Sequence, residues 1–241
     1  MLTSLAGGRL LADKTGATPP RVVALHGWGR SGADFAEILA GTDAVAPHLP
    51  GFGGTEPPGD AWGSAEYAEL VAEAITPFAP VVIVGHSFGG RVAVRLAARY
   101  PQLVSALVLT GVPLLRLAPA SKPALSFRVA RALANRRILP ESVLERQRRK
   151  HGSADYNAAQ GVMREIMVKV VNEDYADDLA RISVPVRMVW GENDTAAPMP
   201  AGDAASRLLA NATFRSVPAA GHLLEGALRD EVRAELLEVL L

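Results

Sequence analysis

Residues 81–90 constrain the fold more than any other stretch of this 241-residue chain. The first four are β-branched and apolar, which is typical of a short strand buried on both faces. The pattern Gly-x-Ser-x-Gly follows directly, and residues 91–100 have the pattern of a helix. Ser87 is therefore predicted at a sharp turn from strand to helix, with its hydroxyl clear of the backbone. Gly85 and Gly89 flank it because a Cβ atom would collide across so tight a turn.

The composition of the chain excludes several classes of protein and of reactive group. The 25 basic residues balance the 25 acidic ones, so no general attraction to nucleic acid or to a membrane surface is expected. The absence of cysteine removes disulfides, thiolate metal ligands and a cysteine nucleophile. No run of about 18 apolar residues predicts a membrane-spanning helix, and the first residues lack a basic segment followed by a long apolar one. We expect a cytoplasmic protein, either a monomer or a homodimer.

Predicted strands and helices alternate on either side of a long helical stretch. Tight glycine-containing turns follow the strands, which indicates a mostly parallel sheet covered by helices on both faces. The alternation stops at residues 114–181, so the sequence predicts an α/β core of residues 1–113 and 182–241 interrupted by a helical cap. The predicted strands are 21–25, 43–46, 81–84, 103–110, 184–190 and 213–217, after a strand pair within residues 1–20; the predicted core helices are 31–39, with Ser31 as its cap, 65–75, 91–100, 201–210 and 228–241.

A serine hydroxyl needs a base to become a nucleophile, and the base needs a third group to orient it. Asp194 follows the predicted strand at 184–190, and His222 follows the one at 213–217. Both are therefore expected at the carboxyl edge of the sheet, where active sites of open α/β sheets form. The chain order Ser87, Asp194, His222 is the one expected for a serine on this type of turn.

An oxyanion hole is the third requirement, and it needs two preorganised amides. The candidates are Phe88, directly after the serine, and Trp28 in the His26-Gly27-Trp28-Gly29 loop. Other interpretations remain open for the serine, the aspartate and the histidine. Ser87 can also be an ordinary helix cap. The competing carboxylates are Glu192, Asp177 and Asp178, and the competing histidines are His26, His48, His86 and His151.

Five segments between about residues 20 and 225 resemble the α/β-hydrolase superfamily. The segments His26-Gly27-Trp28-Gly29 and Leu49-Pro50-Gly51-Phe52-Gly53 are most similar to small carboxylesterases, the group that includes the pimeloyl-ester hydrolase of biotin synthesis. That group often has an aspartate ahead of its Leu-Pro-Gly-Phe-Gly segment, whereas Pro47 and His48 lie there in this chain. The segments are His26-Gly27-Trp28-Gly29, Leu49-Pro50-Gly51-Phe52-Gly53, Gly85-His86-Ser87-Phe88-Gly89-Gly90, Gly191-Glu192-Asn193-Asp194 and Gly221-His222.

This resemblance implies a role for each site residue and no need for a metal or an organic cofactor. It also implies that residues 114–181 form a cap over the site. The implied roles are Ser87 as nucleophile, His222 as base, Asp194 as orienting acid, Trp28 and Phe88 as oxyanion donors, and His26, Gly27, Gly85 and Gly89 as structural support.

The expected reaction is cleavage of a small-molecule ester or thioester through an acyl-enzyme. Three other reactions use the same three side chains: carbon–carbon bond hydrolysis, acyl transfer and perhydrolysis. A non-catalytic ligand-binding module on the same scaffold is a further alternative. Ser87 argues against the dehalogenases and epoxide hydrolases of the superfamily, which use an aspartate nucleophile.

The predicted cap has an unusual charge. Residues 116–150 contain ten basic side chains and two acidic ones, a local net charge of about +8 in a chain that is neutral overall. They form either a solvated helix face or an electropositive lid that attracts anionic or carrier-linked substrates. Met163 and Met167, four residues apart on a predicted helix, either pack in the core or face the acyl pocket. Phe52 and Trp62 have the same two interpretations.

Overall fold

A computed structural model describes residues 1–116 and 154–241. Three sequence predictions lie wholly or mainly outside those ranges: residues 117–153 of the cap, every basic residue of the cap's charged stretch except Arg116, and His151. Within the described ranges, no helix is both long enough and apolar enough to cross a membrane.

One sheet of eight strands forms the centre of the fold: β1 (Leu2–Leu5), β2 (Leu10–Thr15), β3 (Val22–Leu25), β4 (Ala44–Pro47), β5 (Val81–His86), β6 (Val104–Thr110), β7 (Val186–Gly191) and β8 (Ala212–Val217). Their order is β1-β2-β4-β3-β5-β6-β7-β8. β1 and β2 form an antiparallel pair, β2 is antiparallel to β4, and all further pairs are parallel. The predicted mostly parallel sheet and the initial strand pair are confirmed.

Helices cover both faces of this sheet. The described helices are α1 (Ser64–Ile75), α2 (Phe88–Arg99), α3 (Ala154–Ala158), α4 (Gly161–Val171), α5 (Ala176–Arg181), α6 (Met199–Ser206) and α7 (Gly226–Leu240). Successive residues of β5 pack on opposite faces of the sheet. Ile83 belongs to the hydrophobic cluster with α1, α2 and α4, whereas Val82 and Val84 belong to the cluster with α7. The apolar run in β5 is thus explained by burial on both sides.

Within the predicted cap, the structure describes residues 114–116 and 154–181, and the second range contains the helices α3, α4 and α5. Ile166 and Val170 of α4 and Leu179 of α5 lie in the same hydrophobic cluster as α1 and α2. These helices therefore share a core with the sheet.

The prediction of a helix over residues 31–39 is wrong. The segment forms one 3-10 turn, Gly32–Phe35, followed by isolated turns. Ser31 is at the N-cap position, but its side chain makes no capping hydrogen bond. The helical pattern arose because Phe35, Ile38 and Leu39 are all buried against β3 and β4 residues. Tertiary burial, without a continuous helix, accounts for that spacing.

Candidate active site

Ser87 lies on the turn between β5 and α2. Its backbone has φ 51° and ψ −115°, a conformation that is unusual for a residue with a side chain. Its N–H donates to the Thr110 carbonyl on β6 at 3.1 Å, which ties the turn to the sheet. A Cβ atom at Gly85 would lie 2.6 Å from Gly90 Cα, and one at Gly89 would collide with the Leu25 carbonyl oxygen. Ser87 occupies the N-cap position of α2 without a side-chain capping bond.

The serine, the histidine and the aspartate form one hydrogen-bonded chain. His222 Nε2 is 3.1 Å from Ser87 Oγ, and His222 Nδ1 is 2.8 Å from Asp194 Oδ2. The contact with the carboxylate favours the proton on Nδ1, which leaves Nε2 to accept the serine proton. Asp194 is 4% exposed, and its Oδ1 accepts the N–H groups of Ala196 at 2.9 Å and Ala197 at 2.8 Å. These bonds fix the carboxylate.

Two neighbouring loops hold Asp194 and His222 at this edge of the sheet. The loop after β7 donates Asn193 N–H to the Ala220 carbonyl at 2.9 Å, and Glu192 N–H to Val217 at 3.1 Å. A Cβ atom at Gly191 would collide with the Gly221 carbonyl, so the loops meet too closely for a side chain there.

The competing carboxylates have other surroundings. Glu192 accepts a hydrogen bond from Ser216 Oγ at 3.0 Å, and the buried Asp178 forms an ion pair with Arg95. Asp177 lies on α5, before β7. Of the four carboxylates considered, Asp194 is the one hydrogen-bonded to His222.

His26 and His48 brace loops. His26 Nδ1 donates to the Gly27 carbonyl at 2.7 Å, while its Nε2 accepts the Leu49 N–H at 2.9 Å. This ring joins the loop after β3 to the one after β4. His48 contacts Asp13 at 2.9 Å and the Gly53 carbonyl.

His86 lies beside His222 and contacts its backbone. Its Nε2 donates to the His222 carbonyl at 2.9 Å, and the two ring centroids are 4.9 Å apart. On its other side, the ring packs closely against Gly27, where a Cβ atom would lie 3.0 Å from His86 Nδ1. Burial lowers the pKa of His86 to about 4, so the ring is neutral at pH 7. His86 therefore connects the His222 loop to the loop after β3.

The amide of Phe88 is available at the start of α2. Among the described residues, Gly89 N–H donates to the His26 carbonyl at 3.0 Å, and the N–H groups of Gly90 and Arg91 donate to Ser87. The first amides of a helix have no acceptor within it, so Phe88 N–H can bind a ligand. Trp28 lines the cavity beside Ser87 and packs edge-on against Phe88, with ring centroids 5.4 Å apart. Its role as the second donor stays a prediction.

A cavity of about 270 Å³ opens over Ser87 and His222. Met167, Val170 and Val171 of α4 contribute an apolar wall. Met163, by contrast, packs against Gly51. Phe52 packs edge-on against Trp28 and His26, and Trp62 packs against Tyr67, as core aromatic residues do. The cavity also has two charged residues in its lining, Arg91 and Asp155.

Sequence reasoning missed Arg91. Its position four residues after Ser87 places both on the same side of α2, and this spacing was the available signal. The pattern alone did not distinguish a cavity-lining arginine from a surface one.

Residues 22–235 match the sequence pattern of the alpha/beta hydrolase family. Because this match covers most of the chain, and the sheet topology and the turn at Ser87 agree with it, the protein belongs to the alpha/beta hydrolase family.

Particular relatives are similar over a shorter stretch. The pimeloyl-[acyl-carrier protein] methyl ester esterase of Aromatoleum aromaticum is 39% identical over 99 residues, which cover 38% of this chain and 37% of that protein. Esterase Rv0045c of Mycobacterium tuberculosis is 36% identical over 110 residues, 44% of this chain and 37% of that protein. The chain thus spans less than two-fifths of the length of these curated relatives.

A solved structure is similar over the whole fold. A serine hydrolase involved in carbazole degradation has a TM-score of 0.74 and 21% identity, over 100% of this chain and 98% of that chain. At this identity the likeness concerns the fold.

Proposed function

We propose that this protein is a serine hydrolase that cleaves carboxylic esters or thioesters through an acyl-enzyme intermediate. The observation that carries the proposal is the hydrogen-bonded chain from Ser87 Oγ through His222 to the buried Asp194 carboxylate. This arrangement supplies a nucleophile, a base and a group that orients the base. The two curated relatives named as esterases support the same reaction class.

In the first step, Ser87 Oγ attacks the substrate carbonyl while His222 Nε2 takes the hydroxyl proton. Asp194 stabilises the resulting imidazolium and keeps the ring oriented. The imidazolium then returns the proton to the departing alcohol or thiol, which leaves the acyl group on Ser87. Water attacks this acyl-enzyme by the same route, with His222 again as base.

The tetrahedral intermediate carries an oxyanion, for which we propose the amides of Phe88 and Trp28 as donors. In comparable enzymes, removing one such donor raises the activation free energy by about 3 kcal/mol. The neutral His86 ring supports this arrangement because it packs against both the Gly27 backbone and the His222 loop. We further propose that the apolar wall on α4 binds the hydrocarbon part of the substrate.

Turnover of p-nitrophenyl butyrate by Ser87→Ala tests the proposal. We expect hydrolysis to fall by several orders of magnitude with unchanged circular dichroism and Tm. Ser4→Ala, an exposed serine on β1, is the matched control and should keep wild-type turnover. Folded Ser87→Ala that retains ester hydrolysis would exclude Ser87 as the nucleophile.

A further inference from the structure

Three arginines follow one another along one side of α2 at intervals of four residues: Arg91, Arg95 and Arg99. Arg95 forms an ion pair with Asp178, and Arg99 lies 3.5 Å from Glu69. Arg91 forms no ion pair with any carboxylate in residues 1–116 or 154–241. The arginine nearest the candidate nucleophile thus differs from its two neighbours on the helix.

Arg91 is also buried, with 8% exposure. Its Nη1 donates to the Val170 carbonyl at 2.6 Å, and its guanidinium lies 5.7 Å from the centre of the Tyr175 ring. Its Nε has no hydrogen-bond acceptor within the described part of the chain. Burial lowers the pKa of the Arg91 guanidinium, as expected when a cation leaves water. A buried cation usually has a carboxylate partner, and Arg91 has none within residues 1–116 and 154–241.

The nearby carboxylates are engaged elsewhere or open to solvent. Asp194 is hydrogen-bonded to His222 and to two amides. Glu173, which acts on Arg91 electrostatically, accepts hydrogen bonds from Ser64 and Tyr175. Asp155 lines the same cavity as Arg91, but it is exposed and unpaired with that arginine. No described side chain therefore neutralises Arg91 directly.

Arg91 lines the cavity that contains Ser87 and His222. Four residues separate Arg91 from Ser87, a rise of about 6 Å along a helix. Met167 and Val171 line the same space. The cavity thus combines the candidate nucleophile, an apolar wall and a cation that no carboxylate of the described residues pairs with.

We infer that Arg91 is a specificity-determining residue that binds a carboxylate on the substrate, so that the preferred substrates are esters or thioesters carrying a carboxylate a few methylene groups from the cleaved carbonyl. The inference rests on the proposed hydrolase function. A guanidinium forms its strongest hydrogen bonds with carboxylates, and the low dielectric of a buried site strengthens them. The apolar wall accommodates the intervening methylene groups.

The wild-type protein provides the first test. Monoethyl adipate is compared with the ethyl ester whose far carboxylate is replaced by a neutral carboxamide. We expect kcat/KM to be at least about tenfold higher for the acid, as a charge-assisted hydrogen bond would give. A second pair compares the butyrate ester of a hydroxy acid with the same ester whose carboxylate is replaced by a carboxamide. Together the two pairs show whether the carboxylate belongs to the acyl or the alcohol part of the substrate. Equal kcat/KM for acid and amide in both pairs overturns the inference.

Substitution of Arg91 provides the second test. R91M should lower the acid-to-amide ratio of kcat/KM by about 10- to 100-fold, and R91K should retain part of it. R99M removes the same charge from the exposed end of α2 and should leave the ratio at its wild-type value. If R91M does not fold, R91K decides, because a shorter cation without the planar fork should still lower the ratio several-fold. An undiminished ratio in folded R91M, or in R91K when R91M does not fold, contradicts the inference.

Labelling of the same preparations with a fluorophosphonate separates this inference from the proposed function. A protein that reacts at Ser87 but shows no acid preference is a hydrolase whose Arg91 does not select carboxylates. A protein that does not react at Ser87 contradicts the proposed function itself.

Discussion

His26 and His86 are buried histidines beside the candidate site, and burial lowers the pKa of each from 6.5 to about 4. Burial disfavours the charged form of each ring, so both rings stay neutral above about pH 4. The unfolded chain binds protons at these positions below about pH 6.5, whereas the folded protein does not until about pH 4. Between these values the unfolded state holds more protons, so the free energy of unfolding decreases as the pH falls.

We predict that the protein is less stable at pH 5 than at pH 7 by about 2 kcal/mol for each of these histidines. Urea unfolding at both pH values measures this difference. His86→Gln cannot take up the proton and should reduce the difference in unfolding free energy between pH 7 and pH 5 by about 2 kcal/mol. Equal loss of stability in His86→Gln and wild type would show that His86 is not the titrating group.

His86 also acts on the site through the backbone, because its Nε2 donates to the His222 carbonyl at 2.9 Å. We predict that His86→Leu lowers kcat for a neutral ester about tenfold, the effect of one lost hydrogen bond, with little change in KM. His86→Gln retains an amide donor near Nε2 and should restore most of kcat. The idea fails if the leucine variant keeps wild-type kcat, or if the glutamine variant is no better than leucine.

At the scale of secondary-structure elements, a polar junction fastens the end of α4 to the start of α1. The Glu173 carboxylate accepts hydrogen bonds from Ser64 N–H at 3.1 Å, Ser64 Oγ at 2.5 Å and Tyr175 OH at 2.6 Å. Ser64 and Tyr175 are both fully buried. The Glu173 carboxylate thus connects the carboxyl end of the helix that forms the apolar wall to the start of α1.

We predict that Glu173→Ala lowers the free energy of unfolding by about 2–4 kcal/mol, because it removes the carboxylate that accepts from the buried Ser64 N–H and hydroxyl and leaves Tyr175 OH only its 3.1 Å contact with Ser64 Oγ. Chemical denaturation measures the change. Glu69→Ala removes an exposed glutamate from α1 and should change stability by less than about 1 kcal/mol. Similar effects for the two variants would contradict a structural role for this junction.

Strands and helices were predictable where the spacing of apolar residues in the sequence matches the burial pattern of that element. β5 was clear from its apolar run, and α1 from apolar residues at helical spacing. Residues 31–39 were misassigned because three buried apolar residues had helical spacing without a continuous helix. The start of α2 was predicted at Arg91, three residues late, because Gly89 and Gly90 suggested a turn. Both positions lie within α2, and they are glycine because the Leu25 carbonyl and Val112 pack too closely against them for a side chain.

For the whole molecule, parallel topology made the main contacts of the site predictable. The order of strands brings the ends of β5, β7 and β8 to one edge, so Ser87, Asp194 and His222 meet although up to 135 residues separate them. The environment of Arg91 was not predictable in this way. The lack of a carboxylate partner for Arg91 among the described residues depends on which side chains each surrounding helix presents, and that is a property of the packed structure.

The central claim is that Ser87 is activated by the folded site. Mass spectrometry of protein treated with a fluorophosphonate tests it directly. The account predicts one adduct per chain, located on Ser87, that forms rapidly in wild type and is strongly reduced in folded His222→Ala and after denaturation. A wild-type protein that is folded but unlabelled, or labelled at another residue, would contradict the account.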